Sequence, residues 1–302
     1  MFNKQQMVMI GLSKELLVYQ PGDRIDTISS YTERYDTSRG VVQEVLNTLE
    51  AEKAIKRSKR GTLGTYLSSI DYIKLWGYTL ETIAGVSPLP YTTKHEGIAT
   101  AIYSEMEKKD IAFHFAYMQG AENRILGVLK GKYDFAVLGK ASALELMKEY
   151  DDISIAVEFD DYSYLSGYVL LYNDENILRK KKLRVGRDMS SPDHTKLMEI
   201  LGKDKDLEYV NIQYTKMVPA IRDGLIDITI YNKDTVDKPG IFGGISFQDL
   251  EINKELGDET RAVLVVNNES PDISNLLKQI INKKEISIVQ NEVIEGKRVP
   301  VY

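Results

Sequence analysis

A two-faced helix followed at once by a basic hairpin, DTSRGVVQEVLNTLEAEKAIKRSKRGTLG from Asp36 to Gly64, constrains this 302-residue chain more than any other stretch. Val42, Val45, Leu46 and Leu49 recur at i, i+3, i+4 and i+7, so they form one apolar stripe, while Arg39, Gln43, Asn47 and Glu50 follow a polar face. A helix packed on one side and polar on the other can enter a groove. Thr37 and Ser38 are N-cap candidates, and the unpaired amides and positive dipole end behind such a cap suit a phosphate. Ile55–Ser58 and Thr65–Leu67 are short extended pieces around a Lys59-Arg60-Gly61 turn, which predicts a hairpin with a basic tip. From Lys53 to Arg60 there are five basic residues and no acid, so these charges are expected to face solvent or a polyanion. A solvated patch beside an ordinary helical hairpin would carry the same charges. The order of cap, helix and basic wing favours double-stranded DNA, with Thr37, Ser38, Arg39, Gln43, Asn47, Lys56, Arg57, Lys59, Arg60, Gly61 and Thr62 as contact candidates.

The overall charge of −6 fits a DNA binder only once it is divided. Residues 1–70 carry ten basic and eight acidic side chains, net +2, whereas the remainder carries 29 against 37, net −8. Phosphate would repel the second part, which therefore does a different job. We expect residues 1–70 to be the DNA-binding domain and residues 71–302 an effector-binding domain. Met9, Leu12, Leu16 and Tyr19 mark one face of a first helix stopped by Pro21-Gly22, and Ile28–Arg34 reads as a second. Ser68–Trp76, SSIDYIKLW, reads as the connection between domains. The chain has no cysteine, consistent with a cytoplasmic location, and no apolar run near the length of a membrane span, so no membrane partner is expected. Met7–Leu12 is too short for a signal segment.

Beyond residue 76 strands and helices alternate, the pattern of an α/β sheet. Leu129-Lys130-Gly131-Lys132-Tyr133-Asp134 parallels Arg222-Asp223-Gly224-Leu225-Ile226-Asp227: a helix end, a Gly C-cap, then Gly-x-x-Asp opening a strand. Each copy follows a strand and a helix, so two similar lobes are implied. We expect lobe two to span about residues 172–250, entered near Leu171–Leu183 and left near Asp249–Val263. In open α/β sheets the loops at strand C-terminal ends form the ligand crevice. That rule nominates Tyr91, Thr92, Gln119, Gly120, Lys140, Arg187, Ser190, Ser191 and Asn232 for a small effector, although helix and turn capping alone would also use such residues. Thr92 and Ser191 as caps, with Lys140 and Arg187 nearby, favour an anionic or strongly polar ligand.

No catalytic constellation stands out. His95, His114 and His194 lack metal-type spacing and read as surface or cap-adjacent residues, so neither a metal nor a cofactor is expected. Asp151-Asp152 and Asp160-Asp161 are adjacent pairs whose side chains diverge on a strand. Tyr162, Tyr164, Tyr168 and Tyr172 could line a cleft, with half-buried strand tyrosines as the commoner outcome.

Pro21-Gly22-Asp23-Arg24-Ile25, Thr37–Leu46, Leu49-Glu50 and Arg60-Gly61-Thr62 resemble the winged helix-turn-helix of the GntR family of bacterial regulators. Gly85–Tyr91, GVSPLPY, and the terminal Pro300-Val301-Tyr302 resemble its YhfZ-like branch across nearly the whole chain. Asp26–Ser30 stands where the family opens its second helix with Pro-Ser-Glu-Arg, and Gln43 replaces a recognition-helix arginine, so the resemblance carries no operator sequence. It implies an α+β winged helix-turn-helix domain followed by a two-lobed α/β domain similar to type-2 periplasmic binding proteins, a fold the internal repeat also resembles. The expected function is a non-enzymatic transcription regulator, active as a homodimer on operator DNA and responsive to a small molecule. An enzyme on the same fold with an accessory winged helix, and an architectural winged helix with a vestigial α/β module, are the alternatives.

Overall fold

Local sequence signals open every helix of the N-terminal domain in the computed structural model, which describes residues 2–189, 206–236, 240–250, 258 and 260–301. Helix α1 (Lys4–Leu16) starts in a reciprocal capping box between Asn3 and Gln6. Helix α2 (Ile28–Arg34) is capped by Thr27, which accepts from the Ser30 amide, and α3 (Arg39–Ala51) by Ser38, which accepts from Val41. Strands β1 (Arg24–Ile25), β2 (Ile55–Lys59) and β3 (Thr65–Ile70) form an antiparallel sheet in the order β1-β3-β2. The α3 stripe Val42, Val45, Leu46 and Leu49 is fully buried against Leu12, Leu16, Tyr31 and Leu67. On α1 the inward face is Val8, Leu12, Ser13 and Leu16, with Met9 and Tyr19 at its half-buried edge. The face is turned from the expected one because α1 packs on two helices, α3 and α4 (Tyr72–Gly77).

The stretch expected to be a connection is structural. Strand β3 runs to Ile70, and α4, capped by Asp71, buries Leu75 and Trp76. These two residues belong to one hydrophobic cluster that runs from Leu12, Leu16 and Leu17 into Ile83, Ile98, Leu276 and Leu277 of the next domain. A polar seam borders it. Gln20 donates to Asn275 Oδ1 at 2.7 Å, Asn275 donates to the Leu17 carbonyl at 3.0 Å, and the Tyr72 amide donates to Gln279 Oε1 at 2.6 Å. An interface this apolar holds two domains as one body.

The rest of the chain builds two five-stranded sheets of like plan. Lobe one orders β4 (Ile83–Ser87), β5 (Phe113–Tyr117), β6 (Phe135–Gly139), β7 (Ile153–Glu158) and β13 (Ala262–Asn267) as β5-β4-β6-β13-β7. Lobe two orders β8 (Tyr168–Tyr172), β9 (Lys182–Arg187), β10 (Asp206–Asn211), β11 (Ile228–Asn232) and β12 (Ser246–Asp249) as β10-β9-β11-β8-β12. In each, the first three strands are parallel in 2-1-3 order and the fourth position is taken by an antiparallel strand from a crossing segment. The chain enters lobe two between Glu158 and Tyr168, ahead of the Leu171–Leu183 stretch expected from the sequence, because the Tyr168–Tyr172 run pairs with β11 rather than with lobe one. It returns between Asp249 and Ala262, making lobe one discontinuous.

The repeat has a common geometry. Gly131 and Gly224 end helices at φ +65° and +68°, where a side chain would be strained. Three residues later each aspartate clamps the middle one of the three parallel strands of its lobe. Asp134 gives its amide to the Ala84 carbonyl and accepts the Ala84 amide on its carboxylate, both at 2.7 Å. Asp227 does the same to Arg184, both at 2.8 Å.

Helices α5 (Thr93–Glu107), α6 (Ala121–Leu129) and α7 (Lys140–Leu146) follow the first three strands of lobe one, and α8 (Met217–Arg222) and α9 (Lys233–Val236) serve lobe two. The C-terminal pair α10 (Pro271–Ile280) and α11 (Lys283–Ile294) returns to lobe one. Helix α11 lies against α5, where a Cβ on Gly97 would stand 3.0 Å from the Gln290 carbonyl oxygen. The Gln290 side chain donates to the carbonyls of Lys94 and Ser163, tying α5 to the crossing segment.

Candidate DNA-reading face and inter-lobe cleft

Packing of the α3 stripe leaves Arg39, Gln43 and Asn47 exposed on the opposite side. They border a groove shared with Arg24, Thr27, Ser29 and Lys59. Lys56, Lys59, Arg60, Gly61 and Thr62 are exposed along the wing, and the Arg60 guanidinium lies 4.4 Å from the centre of the Tyr66 ring. Ser38 caps α3, while Thr37 stands half-buried one residue earlier.

Arg57 departs from the solvent-facing expectation, its side chain only 11% exposed. It donates to Glu50 Oε2 at 2.7 Å and to Asn47 Oδ1 at 2.7 Å, and its amide reaches Glu50 Oε1 at 2.9 Å. Burial pushes the Glu50 carboxyl up, but the Arg57 amide and guanidinium outweigh it and hold the group below its ordinary value. Arg57 thereby braces the wing on α3 and fixes the angle between them. Arg24, Thr27 and Ser29 were not nominated by the sequence. Gly64 lets Arg24 into the groove, since a Cβ there would lie 2.7 Å from Arg24 Nε.

The second site is a cavity of about 150 Å³ between the lobes. Loops and first helical turns at the C-terminal ends of β4 and β5 supply Tyr91, Thr92, His95, Gln119, Gly120 and Arg124; β11 and its surroundings supply Tyr214, Asn232 and Thr235. Of the expected ligand residues, Tyr91, Thr92, Gln119, Gly120 and Asn232 meet here. Thr92 caps α5 by accepting from the His95 amide at 3.2 Å. Lys140 is not in the lining: Glu158 and Asp258 each take its ammonium at 3.0 Å, and Ser142, one turn edge further, faces the cavity instead. Arg187 lines an adjoining hollow with Asn123 and Asn211, its guanidinium 4.8 Å from the Tyr209 ring centre. Ser190, Ser191 and His194 lie outside the described residues.

Sequence reasoning missed Arg124, His95, Ser142, Asp188 and Tyr214. His95 and Arg124 sit inside the first turns of helices, one step past the strand-end loops. Extending the strand-end rule by a helical turn would have found both. Arg124 is buried and oriented by the carbonyls of Val137 at 3.1 Å and Met118 at 2.8 Å. On the other wall the Tyr214 amide donates to Asp188 at 2.8 Å, the Asn232 amide donates to the Tyr214 hydroxyl at 2.9 Å, and Tyr214 stacks on Tyr231 at 4.2 Å. Burial drives the Tyr214 hydroxyl far above its ordinary value, so it stays a neutral hydrogen-bonding group. Of the suspected tyrosines, Tyr164 and Tyr168 line the cavity, Tyr172 is in the lobe-two core and Tyr162 is exposed. Among the described residues no group of three His, Asp or Glu side chains could hold a metal, and no helix is long and apolar enough to cross a membrane. The arrangement can surround and orient a small polar molecule.

The model of the YhfZ C-terminal domain matches residues 71–302, and that of a helix-turn-helix domain matches residues 20–67. The uncharacterized protein YhfZ of Escherichia coli (strain K12) is 27% identical over 300 residues, 99% of this chain and 98% of that protein. The crystal structure of YhfZ from Shigella flexneri is similar with a TM-score of 0.64 at 25% identity, covering 77% of this chain and 98% of that one. An amino acid ABC transporter substrate-binding protein from Streptococcus pneumoniae, solved bound to L-arginine, shares the fold with a TM-score of 0.52 at 16% identity, over 76% of this chain and 100% of that one.

Proposed function

The chain belongs to the YhfZ C-terminal domain family, and from that premise we propose that it is a transcription regulator whose winged helix binds operator DNA and whose two-lobed domain senses a small polar metabolite. One observation carries the reading: Arg39 and Gln43 on α3 stand exposed over a groove lined by Arg24 and Lys59, beside a wing locked to the same helix through Arg57 and Glu50. That is a rigid, positively charged surface of the width of a helix and a hairpin, which suits a major groove and its flanking phosphates. The GntR-like wing pattern, the net +2 of residues 1–70 and the binding-protein-like second domain support it. We read the protein as non-enzymatic, cytoplasmic and homodimeric, since one small winged helix contacts few phosphates and a two-fold pair doubles them. Effector and DNA affinities are then linked by one reciprocal coupling factor.

The test is fluorescence anisotropy with duplex from upstream of the protein's own gene at fixed salt. Arg39→Ala should weaken specific binding by about 1–3 kcal/mol, roughly fivefold to 150-fold, without lowering the melting temperature. Retention of full affinity would remove α3 as the reading helix.

A further inference from the structure

Asn47 has its amide fixed by the wing before any DNA arrives, and we propose that it reads a guanine purely as a hydrogen-bond donor, with Arg57 as the residue that positions it. The inference rests on the reading of α3 as the DNA-reading helix.

Arg39, Gln43 and Asn47 follow one another at i, i+4 and i+8, so they stand in one row along the groove. Among the described residues the side chains of Arg39 and Gln43 have no hydrogen-bond partner, whereas that of Asn47 is held. Arg57 Nη2 donates to Asn47 Oδ1 at 2.7 Å, and a guanidinium can only donate, so the bond settles which end of the amide is which. The oxygen belongs to the wing, and Nδ2 with its two N–H groups is left for the groove. The same Arg57 nitrogen gives its other N–H to Glu50 Oε2 at 2.7 Å, and Nε adds a bond to that oxygen at 3.1 Å. The Arg57 amide takes Glu50 Oε1 at 2.9 Å, which uses the second carboxylate oxygen. With its side chain only 11% exposed, Arg57 reaches a phosphate only by stripping Glu50 and Asn47 of their partner. It acts on DNA through Asn47.

In the major groove an asparagine ordinarily takes adenine through two bonds, Oδ1 accepting from N6 and Nδ2 donating to N7. Here Oδ1 already accepts from a cation, and the positive charge beside it repels the amino hydrogens of N6. Turning the amide over sets Nδ2 against the guanidinium, donor against donor. Guanine meets the remaining donor with two adjacent acceptors, N7 and O6, while cytosine presents an amino group and is refused. A side chain fixed in advance loses little freedom on binding, so Asn47 discriminates more sharply than a mobile asparagine in the same place.

The experiment uses the full chain and a pool of randomised duplexes whose bound members are sequenced, followed by anisotropy on the selected duplex at fixed salt. One position of the selected motif is expected to be guanine and to lose its selectivity in Asn47→Ala, while Arg39→Ala erases a different position. Exchanging that G·C pair for A·T should weaken the unaltered chain by about tenfold and leave Asn47→Ala unaffected. Asn47→Asp keeps an oxygen for Arg57 but has no N–H, and should favour cytosine there. Asn47 is exposed, so its variants keep the fold and decide the matter even if the wing loosens in Arg57→Met. Arg57→Met frees the amide, and the preference for guanine over adenine should collapse; a mere brace would lower both affinities and keep their ratio, which overturns the positioning role. A base other than guanine at the Asn47 position, or no position altered in Asn47→Ala, overturns the donor reading and leaves α3 standing while Arg39→Ala erases its own position. A motif changed by neither variant removes α3 as the reading helix.

Discussion

The two lobes share a strand order and a strand-opening Gly-x-x-Asp, yet they keep that aspartate in opposite electrostatic settings. Asp227 of lobe two is buried, which alone would push its carboxyl up, but Arg184 and Lys180 outweigh burial and hold it at about 2. Asp134 of lobe one makes the same two backbone bonds, and among the described residues no cation is bonded to it. Burial raises its carboxyl, and the neighbouring Asp272 and Glu81 raise it further. The difference follows from what each lobe leans on. Lobe one shares its interior with the winged helix and with α10 and α11, so a strand clamp there has apolar support on both sides. Lobe two has two small cores of its own and adds charge pairs at its rim. One backbone device can thus be stabilised by hydrophobic burial in one copy and by ion pairing in the other.

Core truncation breaks the comparison most strongly. Leu276→Ala should cost about 2–5 kcal/mol and lower the melting of the winged helix together with lobe one, because both surround that side chain. Trp76 is the single tryptophan and sits in the shared cluster, so its fluorescence reports that body. Leu183→Ala should cost a similar amount in far-UV circular dichroism yet leave the Trp76 transition in place. A shift of Trp76 by both variants would mean that the lobes unfold as one unit.

Exchanging the aspartates sharpens the contrast with a smaller effect. Asp227→Asn should destabilise by about 1–2 kcal/mol at neutral pH, the cations being roughly half exposed, which reduces their worth. Asp134→Asn should stay within about 0.5 kcal/mol of zero, since Asn still accepts the Ala84 amide and no ion pair is lost. Denaturant midpoints measure both; equal losses would erase the distinction.

The smallest effect is in acid. The carboxyl of Asp227 is depressed in the fold, so its contribution is present above its ordinary value and is lost as pH falls towards about 2. That of Asp134 is raised, so protonation favours the folded lobe one and its cost appears as pH rises through the folded value. Amide exchange at decreasing pH should therefore show β9 and β11 losing protection before β4 and β6. The reverse order would contradict the assignment of the two carboxylates.

The features legible from sequence were those fixed by neighbours along the chain. The α3 stripe, the Ser38 and Thr92 caps and the paired Gly131 and Gly224 ends are local and came through with their residues. What was not legible depends on partners far away. SSIDYIKLW reads as a linker because the side chains that bury Leu75 and Trp76 include Leu276 and Leu277, some 200 residues on. Lys140 looked available because Asp258 cannot be placed beside it without the return crossing. Arg57 is the near miss: Glu50, seven residues earlier, neutralises it only once wing and helix fold together.

The continuous interior between the winged helix and lobe one has a consequence for modularity. A reading head on a tether can be cut off, exchanged or made to swivel, whereas this head has no outer skin on the side where Leu12, Leu16 and Leu17 meet Trp76 and Leu276. Severing the chain at residue 70 would leave two pieces with raw apolar faces, and grafting a foreign head would require its first helix to match this seam. Among the described residues lobe two keeps two hydrophobic clusters of its own, apart from the one that the winged helix shares with lobe one.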